Sequence, residues 1–201
     1  MTLLNLELYI VYGAFFGYLL GSVSFGLLLT HLAGLNDLRE TGSGNIGATN
    51  VLRTGHKTLA MLTLIGDSGK GVAAAVLAGY FWDFNTALIA GFMAVLGHNF
   101  PIWLKFKGGK GVATSFGVLI YTAWPVGLSA CATWLLVACM FRYSSLAALI
   151  ALSAAPIYAY FLMDLEQIMW QTIGLAILAI ARHKDNITRL IKGEESKIGR
   201  N

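Results

Sequence analysis

The chain has 201 residues, of which 57% are hydrophobic and only 12% are charged, about half the charged share of an average globular domain. A water-soluble fold of this size has too few polar residues to cover so much apolar surface, so the composition excludes a soluble globular protein and indicates a membrane protein. The formal net charge is +4, and the placement of the basic residues is more informative than their sum.

Seven apolar segments follow one another along the chain, and they predict one all-α, polytopic membrane domain over residues 1–201. In order, the segments are Leu6–Ala33, Thr58–Phe81, Thr86–Leu104, Val112–Trp124, Val126–Phe141, Leu146–Leu162 and Ile168–Ala181. A full crossing needs roughly 20 residues. The fourth, fifth and seventh segments are short, so we expect them to tilt, break or extend into the flanking polar sequence.

The basic residues lie on one side of this alternation. Thirteen of the 14 Lys and Arg residues follow the first, third, fifth or seventh segment: Arg39, Arg53, Lys57, Lys105, Lys107, Lys110, Arg142, Arg182, Lys184, Arg189, Lys192, Lys197 and Arg200. The opposite loops carry Glu7, Asp83, Asp164 and Glu166 and no basic residue. Because cytoplasmic loops are enriched in Lys and Arg, the pattern predicts seven spans with the N-terminus outside and the C-terminus in the cytoplasm.

The remaining basic residue, Lys70, lies inside the second segment, three positions after Asp67. At that spacing the two side chains share one face of a helix. Either charge alone would be costly within the bilayer, so a mutual ion pair that organises packing is the favoured interpretation. A direct part in function stays open, because ionisable residues inside spans are functional candidates.

The first polar segment is "TGSGNIGATNVLRTG", Thr41–Gly55. Its glycines allow backbone N–H groups to converge on an anion, and a following helix start adds partial positive charge. Ser43 and Thr49 offer hydroxyl donors, and Arg53 offers a planar fork suited to phosphate oxygens. This composition predicts a phosphate-binding loop.

The second polar segment is "GHNFPIWLKFKGGKGVATSFG", Gly97–Gly117. It combines a cationic, glycine-rich stretch with the start of a helix, through Lys107, Gly108, Gly109, Lys110, Gly111 and Thr114. The spacing differs from the G-x-x-x-x-G-K-[ST] of nucleotide-binding P-loops, so use of ATP or GTP is not predicted. His98, at the end of a span, is interpreted equally as a support for this loop or as a substrate contact.

The third polar segment is "RHKDNITRLIKGEESK", Arg182–Lys197. If the preceding helix continues, His183, Asn186 and Arg189 recur at intervals of three on one face. An amphipathic helix on anionic lipid headgroups is the alternative for these basic residues taken singly. Because all three segments lie on the cytoplasmic side, together they predict an anionic-substrate site there. No His or Cys spacing suits a metal, so neither metal nor cofactor is expected.

The three segments resemble motifs of the bacterial membrane acyltransferases that transfer an acyl group from acyl phosphate to glycerol 3-phosphate, giving lysophosphatidic acid. Gly42–Arg53 is similar to the family's G-S-G-N-x-G-A-T-N-x-x-R, with Ile46 where proline is common. His98–Thr114 is similar to H-x-F-P-x-x-x-x-F-K-G-G-K-G-x-A-T, and Arg182–Lys197 to R-H-x-x-N-I-x-R-L-x-x-G-x-E-x-K. Three long motifs in the correct order make the resemblance specific, and it covers essentially the whole chain.

The resemblance implies a phospholipid-synthesis enzyme of the bacterial inner membrane, with its active site facing the cytoplasm. Its partners would be acyl phosphate, glycerol 3-phosphate and membrane lipids, with no nucleic acid, and we expect a monomer. By carry-over, the catalytic residues that hold the donor phosphate would be Ser43, Arg53, Lys110, His183 and Asn186. The residues that bind substrate around them would be Gly42, Gly44, Asn45, Thr49, Asn50, Lys107, Gly108, Gly109, Gly111, Thr114 and Arg189.

The expected chemistry follows from an acyl donor that is already activated. Transfer then needs an oriented hydroxyl, stabilised negative charge and a proton acceptor, but no covalent acyl-enzyme. The H-x-x-x-x-D motif of acyl-thioester-dependent glycerol phosphate acyltransferases is absent. We expect direct transfer, with the donor's phosphate or His183 as the proton acceptor. A transporter or channel for phosphorylated small molecules is the competing hypothesis, since short, glycine-interrupted spans also suit that class.

Overall fold

The protein is described here by a computed structural model that covers residues 3–199, so Arg200 of the basic tail lies outside the described residues. Within that range the chain is all-helical, with loops and two short 3₁₀ turns between the α-helices. The helices of the described chain are α1 (Leu3–Gly21), α2 (Phe25–Leu32), α3 (Ala48–Arg53), α4 (Lys57–Phe81), α5 (Phe84–Asn99), α6 (Val112–Thr122), α7 (Trp124–Phe141), α8 (Ser144–Leu162), α9 (Glu166–Arg182) and α10 (Lys184–Lys192).

Five stretches of the described chain are long and apolar enough to cross a bilayer. They are Glu7–Leu32, Lys57–Phe81, Phe84–Leu104, Trp124–Phe141 and Ser144–Leu162. The fourth and seventh predicted segments form α6 and α9, of 11 and 17 residues, or about 17 and 26 Å at 1.5 Å per residue. The all-α membrane fold predicted from the sequence is therefore confirmed.

The first apolar segment is broken between α1 and α2, whereas the segments named as candidates for breaks were the shorter ones. At the break, Trp103 donates its indole N–H to the carbonyl of Ser22 at 2.9 Å, and Lys70 donates to the carbonyl of Val23 at 2.5 Å. Ser24 then caps α2 by accepting the N–H of Leu27. Backbone groups freed inside an apolar environment need partners, and here residues from distant segments supply them.

Helices α1 and α5 pack with their backbones in close approach. Gly13, Gly17 and Gly21 recur every fourth residue, which places them on one face of α1. A Cβ atom added to them would overlap Thr86, Ala90 and Ala94 of α5, respectively. Small residues at this spacing let membrane helices gain van der Waals contact, so this seam fixes the height of α5 against α1.

The other helices complete a bundle that leaves the polar segments at one end. Helix α4 meets α6 closely, since Gly71 lies against the carbonyl of Thr114 and Gly117 against that of Ser68. Helix α8 packs between α7 and α9, and the short α10 lies against α8 and α9. Fully buried Leu119, Leu152 and Leu175 are in the largest core cluster. The segments before α3, after α5 and after α9 meet at that end, where they line one cavity.

Candidate active site

All three polar segments contribute to one cavity of about 180 Å³. The lining residues that were predicted from the sequence are Ser43, Gly44, Asn45, Gly108, Lys110, Asn186 and Arg189, and the others are Ala181, Arg182, Lys184 and Asp185. Four of these side chains carry positive charge and one carries negative charge. The cavity therefore suits an anion with several oxygen acceptors.

Asn50 organises the first loop from within. Its Oδ1 accepts the backbone N–H of Ser43 at 2.9 Å and the Ser43 hydroxyl at 3.2 Å. Its Nδ2 donates to the carbonyls of Leu38, Thr41 and Asn45, at 2.8–3.0 Å. With 1% of its surface exposed, Asn50 lies in the loop's interior and away from the cavity surface. It holds Ser43 at the cavity wall, which is the position that a substrate contact requires.

The conformation of the first loop also depends on its glycines. Gly42 and Gly44 have φ of 56° and 68°, the left-handed region that residues with a Cβ enter at a cost. A Cβ on Gly42 would also meet the Asn50 side chain at 2.5 Å. Both glycines are thus required by backbone geometry, one of them beside the residue that holds the loop.

Thr49 and Arg53 lie on α3, beside the cavity rather than in its lining. The Thr49 hydroxyl is 3.1 Å from the Ser144 hydroxyl at the start of α8. Arg53 is half-buried, and its Nη2 donates to the Ser196 hydroxyl at 2.6 Å. Its positive charge helps to lower the pKa of Lys110, after the larger effect of burial, so the two cations belong to one electrostatic site.

The second loop is tied down on both sides. The N–H groups of Gly108 and Gly109 donate to the carbonyls of Asn99 and His98. Arg182 donates to the carbonyls of the same two glycines, at 2.9 and 3.1 Å. Among residues 3–199, no hydrogen-bond acceptor engages the N–H groups of residues 110–113. They lead into α6, which begins after Gly111, whose φ is 75°.

The remaining predicted residues of the second segment are either exposed or buried away from the cavity. Lys107 is exposed to solvent, and Gly111 is buried behind the loop. Thr114 is fully buried on α6, and its hydroxyl has no partner within the described residues. The sequence predicted that these residues belong to one site with Lys110 and its neighbouring glycines. Of the predicted residues in the second segment, only Gly108 and Lys110 line the cavity.

Lys110 is the cation most affected by its surroundings. It is half-buried, and its pKa is lowered from 10.5 to about 8, chiefly by burial; the charge of Glu195 acts to raise it, and the charges of Arg189, Arg53 and Arg182 act to lower it. Its ammonium is thus mostly charged at neutral pH and is poorly solvated, so an incoming phosphate gains a strong ion pair.

His183 lies between two helices, so the preceding helix does not continue unbroken through the third segment. Helix α9 ends at Arg182 and α10 begins at Lys184, with His183 capping both. Its ring is 2% exposed, and Nδ1 donates to the carbonyl of Ala179 at 2.7 Å. Burial, together with the nearby charge of Lys110, lowers its pKa to about 4. The ring is therefore neutral at physiological pH, and Nε2 is left as an acceptor.

Glu195 belongs to the site, although the sequence analysis left it out of the candidate residues. Its Oε1 accepts bonds from Ser145 and Asn186, and its Oε2 accepts one from Arg189, each at 2.7 Å. Burial alone would raise its pKa, but these hydrogen bonds lower it below the usual value. The carboxylate thus fixes Asn186 and Arg189, two of the predicted residues, at the cavity. The motif G-x-E-x-K had marked its position.

Replacing Glu195 by glutamine is expected to destabilise the protein by about 1–3 kcal/mol at neutral pH, because an amide turns a donor toward groups that are themselves donors. The carboxylate's contribution to the free energy of unfolding is fully present at pH values above its ordinary pKa of 4.5. It is lost as the pH falls through the lower pKa of the folded state. The measurement is thermal unfolding in detergent at several pH values.

The matched control is Glu194→Gln, since Glu194 is exposed and its side chain has no hydrogen bond within the described chain. We expect this variant to unfold like the wild type. Equal stability of both variants at neutral pH would contradict the role assigned to Glu195. So would a difference that persists unchanged below the carboxyl pKa.

Within residues 3–199, no group of three or more His, Cys, Asp and Glu side chains has the arrangement of a metal site. The cysteines, Cys131 and Cys139, lie on α7 and do not contribute to the cavity. The chemistry available at the cavity is thus that of hydrogen-bond donors and cations around an anion.

Comparison with known proteins gives consistent relatives across nearly the whole chain. A family model described as glycerol-3-phosphate acyltransferase matches residues 11–193. The chain is similar to the glycerol-3-phosphate acyltransferase of Rhodospirillum rubrum, with 61% identity over 91% of this chain and 88% of that protein. It is 58% identical to the glycerol-3-phosphate acyltransferase of Paramagnetospirillum magneticum, over 91% of this chain and 90% of that one.

Two solved structures have a similar fold. One is the crystal structure of PlsY (YgiH), an integral membrane glycerol 3-phosphate acyltransferase, in its glycerol 3-phosphate form; the TM-score is 0.87, the identity 36%, and the match covers 94% of this chain and 96% of that one. The second is the lysophosphatidic acid form of PlsY, with a TM-score of 0.87 and 35% identity, over 94% of this chain and 95% of that chain.

Proposed function

Because this chain belongs to the glycerol-3-phosphate acyltransferase family, we propose that it transfers a fatty acyl group from acyl phosphate to the sn-1 hydroxyl of glycerol 3-phosphate. The products are lysophosphatidic acid and inorganic phosphate. One observation carries the proposal: three segments that are distant in sequence line a single cationic cavity. Family membership weighs against the competing transporter hypothesis.

Direct transfer, without an acyl-enzyme, is supported by what surrounds the hydroxyls of the site. The Ser43 hydroxyl donates to an amide oxygen, and His183 donates from Nδ1 to a backbone carbonyl. A nucleophilic serine would need a base as its hydrogen-bond acceptor. In the proposed step the sn-1 oxygen bonds to the acyl carbon, the bond from that carbon to the phosphate oxygen breaks, and the phosphate leaves.

The proton of the sn-1 hydroxyl passes to the departing phosphate in this scheme. His183 was the other acceptor considered from the sequence, but a pKa of about 4 makes it a weak base at neutral pH. Its neutral ring would instead accept a hydrogen bond and orient a substrate group. Arg53 and Lys110 would stabilise the phosphate charges, while Ser43 and Asn186 would orient the donor.

The candidate residues bind two phosphates in this scheme. The donor phosphate lies among Ser43, Arg53, Lys110, His183 and Asn186, and the glycerol phosphate lies among the other motif residues that line the cavity. Arg189 and the second loop contribute to the latter pocket. Two anions bound side by side in this way would lower the entropic barrier to transfer.

We further propose seven spans in a single domain that acts as a monomer in the bacterial inner membrane. The N-terminus is outside, and the active site faces the cytoplasm. The one-sided distribution of basic residues supports this orientation. Helices α6 and α9 would complete the seven crossings, since both pack within the bundle formed by the longer helices.

The purified protein in detergent is expected to consume acyl phosphate and glycerol 3-phosphate and to release inorganic phosphate and lysophosphatidic acid in equal amounts. Phosphate release and the lipid product are measured together. Activity without sealed vesicles separates an enzyme from a transporter. Equal turnover with acyl-CoA in place of acyl phosphate would contradict the proposed donor, and a chain-linked acyl intermediate on the productive path would contradict direct transfer.

A further inference from the structure

A buried ionic cluster lies directly behind the second loop. The Lys70 ammonium donates to Asp67 Oδ1 at 2.8 Å, to His98 Nδ1 at 2.8 Å and to the carbonyl of Val23 at 2.5 Å. The side chains of Lys70, Asp67 and His98 are between 1% and 5% exposed. The cluster thus joins α4, the end of α5 and the break between α1 and α2.

The hydrogen-bond roles within the cluster are fixed by Lys70. An ammonium has three donors and no acceptor, and the three contacts use all of them. His98 Nδ1 is therefore an acceptor, and the ring proton is on Nε2. The pair of Lys70 and Asp67 is neutral overall, so the cluster adds no net charge to the cavity. What it supplies is a fixed orientation of the His98 ring.

The free edge of that ring faces the second loop. A Cβ on Gly109 would overlap His98 Nε2 and would lie 3.0–3.1 Å from two ring carbons. The Gly109 N–H donates to the His98 carbonyl at 3.0 Å. The loop residue that precedes Lys110 thus rests on the ring of His98 and is bonded to its backbone.

We propose that His98, held by Lys70 and Asp67, is a positioning residue that sets the height of Gly109 and thereby directs Lys110 into the cavity. This resolves the two sequence interpretations of His98 in favour of support, and it gives the intramembrane ion pair a part in substrate binding. The inference rests on the proposed function for the identity of the anion. Displacement of a catalytic group by 1 Å can cost about 100-fold in rate, so the second loop needs a rigid support.

A double-mutant cycle on His98 and Gly109 tests the inference. His98→Asn keeps an acceptor for Lys70 but removes the ring edge, and Gly109→Ala adds the methyl group that overlaps that edge. The affinity for inorganic phosphate, which shares the chemistry of the donor phosphate, is measured by titration calorimetry on detergent-purified protein, and the KM for acyl phosphate is measured in the transfer assay. We expect each single variant to weaken binding by about tenfold or more. We expect the double variant to bind no worse than His98→Asn alone, because the methyl group then has room.

Gly108→Ala is the matched control in the same loop. A Cβ on Gly108 meets the His98 carbonyl oxygen, the Pro101 ring and Asn99 backbone, none of which His98→Asn removes. The fold-losses of affinity from Gly108→Ala and His98→Asn should therefore multiply in the double variant, as they do for sites that are not coupled. If the losses of affinity from Gly109→Ala and His98→Asn also multiply, the inference is overturned.

A second variant keeps the test decisive if His98→Asn does not fold. Asp67→Leu with Lys70→Met removes both buried charges together, so neither charge is left buried without its partner. It deprives His98 of its donor, and we expect weaker affinity for inorganic phosphate. The Val23 carbonyl also loses its donor, so we expect a lower melting temperature, with affinity measured well below it. Unchanged affinity would overturn the inference. Because calorimetry needs no acyl donor, a wrong donor assignment would show only as absent turnover in the wild type.

Discussion

Replacing Arg53 by alanine is expected to lower kcat by about 100-fold or more, as when a preorganised donor to a developing anion is removed. Arg53 is half-buried on α3, and its charge reaches Lys110. Its one side-chain hydrogen bond within the described chain is to Ser196, so the fold should persist. The measurement is phosphate release from acyl phosphate, with the melting temperature in detergent recorded in parallel.

Three further variants separate the charge of Arg53 from its structural bond. Ser196→Ala removes the hydrogen bond but keeps the guanidinium, so it should retain most activity. Arg53→Lys keeps the charge without the planar fork and should fall between wild type and alanine. Lys197→Ala should have a smaller effect, because the Lys197 ammonium lies 5.5 Å from the centre of the Tyr143 ring. More than a tenth of the wild-type kcat in Arg53→Ala would refute the assigned role.

The pH dependence of kcat/KM is expected to show an alkaline decrease near pH 8, set by Lys110. Burial lowers the pKa of this ammonium to about 8, and kcat/KM reports groups of the free enzyme. The charged form exists below that pKa, so above it the cation is lost about tenfold per pH unit. Lys110→Arg keeps its charge to above pH 12 and should remove the decrease near pH 8.

Lys110→Met should lower kcat/KM by about 100-fold at neutral pH and leave no inflection near pH 8. Lys105→Met is the control: Lys105 is exposed in the same loop and lies outside the cavity lining. It should keep both the rate and the alkaline decrease. If Lys110→Arg shows the same decrease as the wild type, another group is responsible for it.

The helices were predictable because the bilayer imposes length and apolarity on each span. The position of the break between α1 and α2 was not predicted, although Gly21, Ser22 and Ser24 occur there and serine is a common helix N-cap. What makes it stable is the pair of donors from Lys70 and Trp103, which are 47 and 81 positions away in the chain. Long-range satisfaction of backbone carbonyls leaves no local pattern in a sequence.

The candidate site, like the fold, was predictable only in part. Ser43, Lys110, Asn186 and Arg189 were predicted from motif composition and order, and the structure brings them to one cavity. Whether a motif residue faces the cavity or the loop behind it depends on packing, as the buried amide of Asn50 demonstrates. A carboxylate is an unexpected member of an anion site. Glu195 was not among the predicted site residues, although it lies inside the third motif.

The hydrogen bonds of Glu195 also bear on how the product departs. A cavity lined by arginine and lysine alone would retain lysophosphatidic acid, which keeps the phosphate of the acceptor and gains an apolar tail. With a permanent negative charge among the cations, the residual attraction for the finished lipid is smaller. If the proposed function holds, we expect this weaker attraction to speed release of the phosphate-bearing product, the step that limits turnover in many enzymes.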